Sequence, residues 1–241
     1  MPDRRIDVIA FDADDTLWHN ERSYRDARAR FRVLLAEAGV ALSDDELEQF
    51  VNQREVQNIG YYGYGVSSFI LSLIETAVEL SDGRIDGRAI AEVIAISKQM
   101  LTEDVELFEG AREALAALAP HYPLMLVTKG DLLHQQSKLE RSGLQGFFRY
   151  VEVVSHKTCN VYRGILARHA VDPDRFLMVG NSLRSDVVPV IELGGRAVHV
   201  PAALSWAHEH AELPADDRGR CFEIATLLAL PGLVATIEMG A

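Results

Sequence analysis

Three aspartates lie close together near the start of the chain, directly after an apolar run. The stretch Ile6–Asn20 reads IDVIAFDADDTLWHN and places Asp12, Asp14 and Asp15 within four positions. Ionised carboxylates a few ångströms apart repel each other, and one of such a pair tends to have a raised pKa. A polar turn leading into a helix is one explanation, because Asp and Thr favour turns and N-caps. The other is a site in which a cation or a ligand uses the charge.

Polar side chains of other types follow three later apolar runs. Thr128 and Lys129 come after PLMLV, Lys157 comes after YVEVV, and Asn181 and Asp186 come after FLMV. Each residue alone has an ordinary structural explanation, such as a helix cap, a solvated lysine or a turn. Together with the first aspartates they form a set of acids, a lysine and a hydroxyl, which is what a phosphoryl group needs.

Alternating strand and helix patterns predict how these residues are brought together. The predicted strands are short apolar runs: Ile6–Phe11, Pro123–Val127, Tyr150–Val154, Phe176–Val179 and Ala197–Val200. The predicted helices between the later strands are Ala111–Ala119, Leu132–Ser142, Val161–His169 and Asp186–Leu193. This order predicts an α/β fold with a doubly wound, mostly parallel sheet covered by helices on both faces. Ligands bind at the carboxyl ends of such strands, so the polar residues are expected at one edge.

The chain between Asp15 and about Glu109 has no convincing strand pattern and is too long for a loop. It contains helical patterns at Tyr24–Ala38, Ser43–Glu55, Ser67–Leu80 and Arg88–Leu101. We therefore expect a helical subdomain inserted after the first strand. The segment GYYGYGV, Gly60–Val66, is expected to be a flexible aromatic connection between two of these helices. After Pro201 we expect a peripheral strand or helix that completes the core.

The composition limits the classes of function. A net charge of -12 argues against a non-specific nucleic-acid binder, although a bound metal would still attract phosphorylated small molecules. Two cysteines, Cys159 and Cys221, provide no disulfide framework and predict reduced thiols in a cytoplasmic protein. Acidic residues interrupt the first apolar run, which argues against a signal peptide, and no apolar run is long enough for a membrane helix. The oligomeric state has no signal in the sequence.

Four segments resemble the motifs of a known superfamily. FDADDTLW, LVTKGD, VSHKT and VGNSLRSD are similar, in this order, to the four motifs of the haloacid dehalogenase superfamily of phosphohydrolases. The first, a strand followed by D-x-D-x-T, is specific, and the others gain weight from their order and spacing. The resemblance implies a Rossmann-like core of residues 1–17 and 107–241 and a helical cap of residues 18–106.

The resemblance also implies a role for each motif residue. Asp12 is expected to be the nucleophile that forms an aspartyl-phosphate intermediate, and Asp14 the acid that protonates the leaving oxygen and then activates water. Thr128 would donate its hydroxyl to a phosphate oxygen, and Lys157 would supply positive charge. Lys129 competes for the cationic role, but the sequence VSHKTCNVY around Lys157 fits the third motif.

A magnesium ion is the expected cofactor. Asp12 would supply a carboxylate oxygen and Asp14 its main-chain carbonyl, since Mg²⁺ prefers oxygen ligands. Asn181 stands where many relatives have an acid, and its amide oxygen can bind the ion without adding charge. Asp186 is then the acidic member, either as a direct ligand or as a residue that holds a metal-bound water. The choice between these two residues as the direct ligand stays open.

The substrate is expected to be a small phosphorylated metabolite. Tyr61, Tyr62 or Tyr64 would contact it from a cap that closes over the site. Packing within the cap is the alternative for each tyrosine. A sugar phosphate, a phosphoglycolate-like acid and a nucleoside monophosphate all fit the motifs.

Three functions compete for this sequence. The first is a magnesium-dependent small-molecule phosphatase. The second is a 2-haloacid dehalogenase that uses Asp12 on carbon; such relatives generally lack an acid two residues after the nucleophile, so Asp14 favours the phosphatase. The third is a non-catalytic relative that binds a phosphorylated ligand, and such a protein has no use for the acid at Asp14.

Overall fold

A parallel β-sheet organises the α/β part of the chain. The computed structural model describes residues 5–204, 206–209, 211, 212 and 219–240. The strands in this part of the chain are β1 (Val8–Phe11), β2 (Leu124–Lys129), β3 (Phe148–Val154), β4 (Phe176–Gly180), β5 (Arg196–His199) and β6 (Cys221–Glu223). They form one sheet in the order β3-β2-β1-β4-β5-β6, and every neighbouring pair is parallel. The predicted doubly wound α/β sheet is confirmed.

Helices connect these strands. Their bounds are α1 (Glu21–Glu37), α2 (Asp44–Tyr62), α3 (Val66–Leu80), α4 (Gly87–Thr102), α5 (Ala111–Leu118), α6 (Leu132–Ser142), α7 (Cys159–Arg168), α8 (Val188–Glu192) and α9 (Leu230–Met239). The predicted continuous helix Asp186–Leu193 is wrong at its start, because a π-helical turn, Leu183–Val187, precedes α8. Ser182 caps this turn by accepting a hydrogen bond from the backbone N–H of Ser185 at 3.0 Å, and local side-chain bonds of this kind compete with regular helix.

Successive residues of the central strands pack into two different cores. Ile9 and Phe11 of β1 belong to a core that includes residues of α5 and α9, whereas Val8 and Ala10 belong to one that includes residues of α7 and α8. Side chains of a strand alternate between the two faces of its sheet, so a strand covered on both faces is apolar at every position. This explains the continuous apolar run before the first aspartates.

Contacts between residues divide the chain into two compact units. One contains residues 1–19, 105–129 and 135–241, including the whole sheet; the other, the helical unit, contains residues 20–104 and 130–134. The predicted boundaries lie at 17/18 and 106/107. The helical unit has its own core, formed by α1 to α4.

The aromatic segment expected to be a flexible connection is helical over its first part. Helix α2 continues to Tyr62, and only Gly63, Tyr64 and Gly65 separate it from α3. The face of α2 that buries Val51 and Glu55 continues through Asn58, whose side-chain amide donates to Ser72 Oγ at 3.0 Å. This packing outweighs the low helix propensity of Gly60.

The chain after Pro201 contributes both a strand and a helix to the sheet unit. Strand β6 pairs with β5 at the edge of the sheet, and α9 packs Leu230, Val234 and Ile237 into the core. Of the residues that the structure describes, none belong to a helix that is both long and apolar enough to span a membrane.

Candidate active site

Asp12 directly follows the carboxyl end of β1 and is the first residue of the candidate site. Its backbone N–H donates to the carbonyl oxygen of Val179 on β4 at 2.9 Å, which fixes the residue at the edge of the sheet. The residue is 6% exposed. Its Oδ2 accepts a hydrogen bond from Thr16 Oγ1 at 2.9 Å, and its Oδ1 accepts one from Lys157 Nζ. The carboxylate is thus buried, held in place and paired with one ammonium group.

Lys157 is shared between two carboxylates. Its Nζ also lies 2.7 Å from Asp186 Oδ1, and the other oxygen of Asp186 accepts from the backbone N–H of Ser182 at 3.1 Å. Burial raises the pKa of Asp12 to about 7; Lys157 opposes this effect, whereas the neighbouring charge of Asp186 adds to it. Burial alone would lower the pKa of Lys157, but the two carboxylates outweigh it and hold that pKa above its usual value. The ammonium group therefore stays charged beside the candidate nucleophile.

A glycine allows Asp186 to approach the end of β4. A Cβ atom added at Gly180 would lie 2.2 Å from Asp186 Oδ2. A side chain at position 180 would therefore push Asp186 away from its place beside Lys157.

Asp14 lies in a second cluster, among three hydrogen-bond donors. Its Oδ1 accepts from Trp18 Nε1 at 2.6 Å and from Lys138 Nζ at 2.5 Å, and its Oδ2 accepts from Gln135 Nε2 at 2.9 Å. Burial raises the pKa of Asp14, but Lys138 and the hydrogen bonds from Trp18 and Gln135 outweigh it, so the pKa lies below its usual value. Asp15, by contrast, has a left-handed backbone with φ of 59° and shapes the turn.

Gln135 connects this cluster to the end of β2. Its Nε2 lies 2.7 Å from both Thr128 Oγ1 and the carbonyl oxygen of Lys129. Thr128, the predicted phosphate ligand, is buried with its hydroxyl against this amide. The amide oxygen of Gln135 is buried without a hydrogen-bond partner.

Asn181 lies against the first two aspartates. Its side-chain amide is within 3.2–3.3 Å of Asp12 Oδ2, the carbonyl oxygen of Asp14 and Thr16 Oγ1. All three neighbours accept hydrogen bonds, so the NH₂ group of the amide faces them. The backbone N–H of Asn181 also donates to Thr16 Oγ1 at 3.0 Å.

The oxygen atoms around Asn181 fit a hard cation. No group of three or more His, Cys, Asp or Glu side chains that could hold a metal occurs among the described residues. Mg²⁺ does not need one, because it combines one or two carboxylates with other oxygen atoms, waters and substrate phosphate. A carboxylate and a main-chain carbonyl already converge here, and rotation of the amide would add its oxygen. Both oxygens of Asp186 accept hydrogen bonds, from Lys157 and from the backbone N–H of Ser182, as both oxygens of Asp12 do from Lys157 and Thr16. The choice between Asn181 and Asp186 as the direct ligand stays a prediction.

Lys129 belongs to a third cluster. Its Nζ pairs with Glu209 and donates to Ser185 Oγ at 2.9 Å. The lysine expected to compete with Lys157 for the phosphate is therefore neutralised by a carboxylate of its own chain.

The three tyrosines proposed as substrate contacts belong to the helical unit. Tyr61 and Tyr62 lie in the last turn of α2 and are exposed, Tyr61 by 83%. Tyr64 lies in the short connection to α3. Their role in substrate binding stays a prediction.

Comparison with known proteins identifies the family. A model of haloacid dehalogenase-like hydrolases matches residues 6–194. The chain belongs to this family. A haloacid dehalogenase-like family hydrolase from Xanthomonas campestris shares 38% sequence identity with it over 98% of both chains, with a TM-score of 0.87.

Two further proteins that are similar to this chain have different activities in their names. N-acylneuraminate-9-phosphatase of Rattus norvegicus is 22% identical, over 97% of this chain and 96% of its own. A 2-haloacid dehalogenase from Pseudomonas syringae pv. Tomato DC3000 is 21% identical, over 96% of this chain and 99% of its own, with a TM-score of 0.64. The family resemblance of the four motifs is confirmed, and the chain is a hydrolase of this superfamily.

The structure adds residues to this hydrolase site that the sequence motifs did not indicate. Gln135 and Lys138 both contact Asp14, and they are three residues apart on α6, which places them on one helix face. That spacing, directly after Thr128, is a signal that could have found them. Glu209 has no such signal, because it lies in a segment without a recognisable motif.

Proposed function

We propose that the protein is a magnesium-dependent phosphatase that hydrolyses a small phosphorylated metabolite through an aspartyl-phosphate on Asp12. The observation that carries the proposal is the arrangement at the end of β1. Asp12 is paired with Lys157, Asp14 lies two residues further on, and the oxygen atoms around Asn181 suit a cation. The name of the rat phosphatase relative supports the same reaction class.

In the first step, a carboxylate oxygen of Asp12 attacks phosphorus. The bond between phosphorus and the leaving oxygen breaks, and the leaving oxygen takes a proton from Asp14. Lys157 stabilises the negative charge on the phosphoryl oxygens, with Asp186 holding the ammonium in place. Asp14 is ionised in the arrangement described above, so it must first gain a proton. The approach of a phosphate dianion favours this, because nearby negative charge raises the pKa of a carboxyl group.

In the second step, water attacks phosphorus and Asp14 accepts its proton. The bond between Asp12 and phosphorus breaks, which releases inorganic phosphate and restores the Asp12 carboxylate. The lowered pKa of Asp14 suits this base role. A bound Mg²⁺, held by Asp12, the carbonyl of Asp14 and the amide oxygen of Asn181, would neutralise charge between phosphate and nucleophile.

The test is a panel of phosphate monoesters assayed with Mg²⁺. It should include sugar phosphates, phosphoglycolate, nucleoside monophosphates and a 9-phosphorylated sialic acid. We expect phosphate release from at least one class, lost by more than 1,000-fold in Asp12→Asn. Asp15→Asn, the same change three residues away, serves as the control and should retain activity.

The 2-haloacid dehalogenase is the second candidate, favoured by the uncharged Asn181 where an acid would strengthen metal binding. Chloride release from 2-chloropropionate in the presence of EDTA would support it. Absence of phosphate release across the panel would contradict the phosphatase. Absence of both products would leave a non-catalytic phosphate-ligand-binding relative as the better explanation.

A further inference from the structure

Glu209 makes a dense set of hydrogen bonds from a segment that no motif covers. It ends a short 3₁₀ turn, Ala207–Glu209, after β5. Its Oε2 accepts from Ser182 Oγ at 2.5 Å and from Ser185 Oγ at 2.6 Å, and its Oε1 accepts from Lys129 Nζ. Its backbone carbonyl also accepts from Ser182 Oγ, at 3.2 Å.

This carboxylate is largely removed from solvent and charged. The side chain of Glu209 is only 15% exposed, and that of Lys129 only 14%. Burial raises the pKa of Glu209, but Lys129 and the two serine hydroxyls outweigh it and lower the pKa to about 2. A buried carboxylate with several donors is costly to disturb, because removing one partner leaves the others unsatisfied.

The contacts of Glu209 lead directly to the catalytic lysine. Ser182 caps the π-helical turn that carries Asp186, and Ser185 lies within that turn. Asp186 in turn pairs with Lys157. Ser185 is held a second time, since its carbonyl oxygen accepts from the buried hydroxyl of Tyr162 at 3.1 Å. The turn is therefore fixed by Tyr162 on one side and by Glu209 on the other.

We propose that Glu209 is a positioning residue for the reaction, which fixes the turn carrying Asp186 and so places Lys157 against Asp12. It also neutralises Lys129, which leaves Lys157 as the cation that acts on the phosphoryl group. The proposal rests on the proposed phosphatase function for its kinetic consequence. Its structural consequence, docking of the segment after β5, is independent of that function.

The kinetic test compares Glu209→Ala and Glu209→Gln with Glu212→Gln. Glu212 is exposed in the same segment, so its variant controls for loss of one negative charge. We expect kcat to fall by about 10-fold or more in Glu209→Ala and less in Glu209→Gln, which keeps a hydrogen-bond acceptor. KM should change by less than about 3-fold, and Glu212→Gln should match the wild type. A purely structural role would lower the yield of folded enzyme but leave kcat per folded molecule unchanged.

A double variant tests whether Lys129 and Glu209 act as a unit. When two residues act in one network, replacing both reduces kcat by less than the product of the reductions caused by the two single substitutions. We expect Lys129→Met combined with Glu209→Gln to reduce kcat no further than the more damaging single variant. Independent, multiplying losses would contradict the proposal.

Tryptophan fluorescence tests docking without any assay of activity. The chain has two tryptophans: Trp18 is buried, and Trp206 lies in the Glu209 segment, with its ring centroid 4.8 Å from that of His208. Acrylamide quenching of Trp206 should increase in Glu209→Ala and stay at the wild-type level in Glu212→Gln, with Trp206→Phe identifying the signal. Unchanged quenching overturns the proposal even if the enzyme is active. If the wild type releases no phosphate from any ester of the panel and quenching still increases in Glu209→Ala, the docking role is supported and the phosphatase is contradicted.

Discussion

Asp12 and Asp14 are two residues apart but have opposite electrostatic environments. Asp12 shares one ammonium group with Asp186, and burial raises its pKa to about 7. Asp14 pairs with Lys138 and accepts hydrogen bonds from Trp18 and Gln135, and its pKa is lowered. Two carboxyl groups with pKa values shifted in opposite directions indicate two different chemical roles. The pattern suits Asp12 as a nucleophile that ionises more readily once a cation binds, and Asp14 as a neighbouring base.

Lys138 should set the pH at which Asp14 works as a base. In Lys138→Met the main cause that lowers the pKa of Asp14 is gone, so burial raises that pKa. Asp14 is then protonated at a higher pH, so the acidic limb of the kcat–pH profile shifts to higher pH. The profile should be compared with that of Lys98→Met, which removes an exposed lysine of α4. An acidic limb that stays in place would show that Lys138 does not control Asp14.

Asn181 should limit the affinity for magnesium. In Asn181→Asp a carboxylate replaces the amide beside Asp12 Oδ2, so a divalent ion gains a second charged ligand. We expect the dissociation constant for Mg²⁺, measured by calorimetry, to fall by roughly 10-fold or more, the equivalent of about 1.4 kcal/mol. Without Mg²⁺ the two carboxylates repel, so the variant should melt below the wild type. The exposed Asn160→Asp is the control, and equal affinity in both variants would place the ion elsewhere.

At the scale of elements, the sheet was predictable and the turns after it were not. Each buried strand is apolar at every position because its alternating side chains enter two cores, so Val8–Phe11 is recognisable without any contact information. The π-helical turn depends on Ser182 capping Ser185 and on Asp186 reaching back to a backbone N–H. These bonds are local, but they produce no apolar periodicity that a sequence pattern could reveal. Glu209 escapes prediction for a different reason, because its partners lie 24 to 80 residues away.

The junction between β4 and the π-helical turn should tolerate no side chain at position 180. In Gly180→Ala the new Cβ would overlap Asp186, so Asp186 must move away from Lys157. We expect kcat to fall by at least about 10-fold and the free energy of unfolding by about 1–3 kcal/mol, the usual cost of overpacking a tight site. Gly146→Ala is the matched control, because no heavy atom lies within 4 Å of its added Cβ. Wild-type activity in Gly180→Ala would show that Asp186 is not needed beside Lys157.

At the scale of the whole molecule, the site should reduce the stability of the fold. Two buried carboxylates, Asp12 and Asp186, compete for Lys157, and proteins retain such arrangements at functional sites at the expense of stability. The cost depends on pH. The pKa of Asp12 is usually 3.8 and rises to about 7 in the fold. Between these two pH values the Asp12 side chain is ionised in the unfolded chain but protonated in the folded protein. Unfolding then releases a proton, so this group lowers the free energy of unfolding as the pH rises through that window.

Asp12→Asn should therefore stabilise the metal-free protein increasingly from pH 4 to pH 7. Asn cannot ionise, and its oxygen can still accept a hydrogen bond from Lys157. One pKa unit corresponds to about 1.4 kcal/mol, so we expect an advantage of up to a few kcal/mol at pH 7 that disappears near pH 4. Urea unfolding in EDTA at each pH measures it, with Asp15→Asn as the control. Mg²⁺ should narrow the gap at pH 7, because the ion binds the folded wild type more tightly than the variant. A gap that is constant across this pH range would mean that Asp12 is as easily ionised in the fold as in the unfolded chain, and the site would then have no need of a cation.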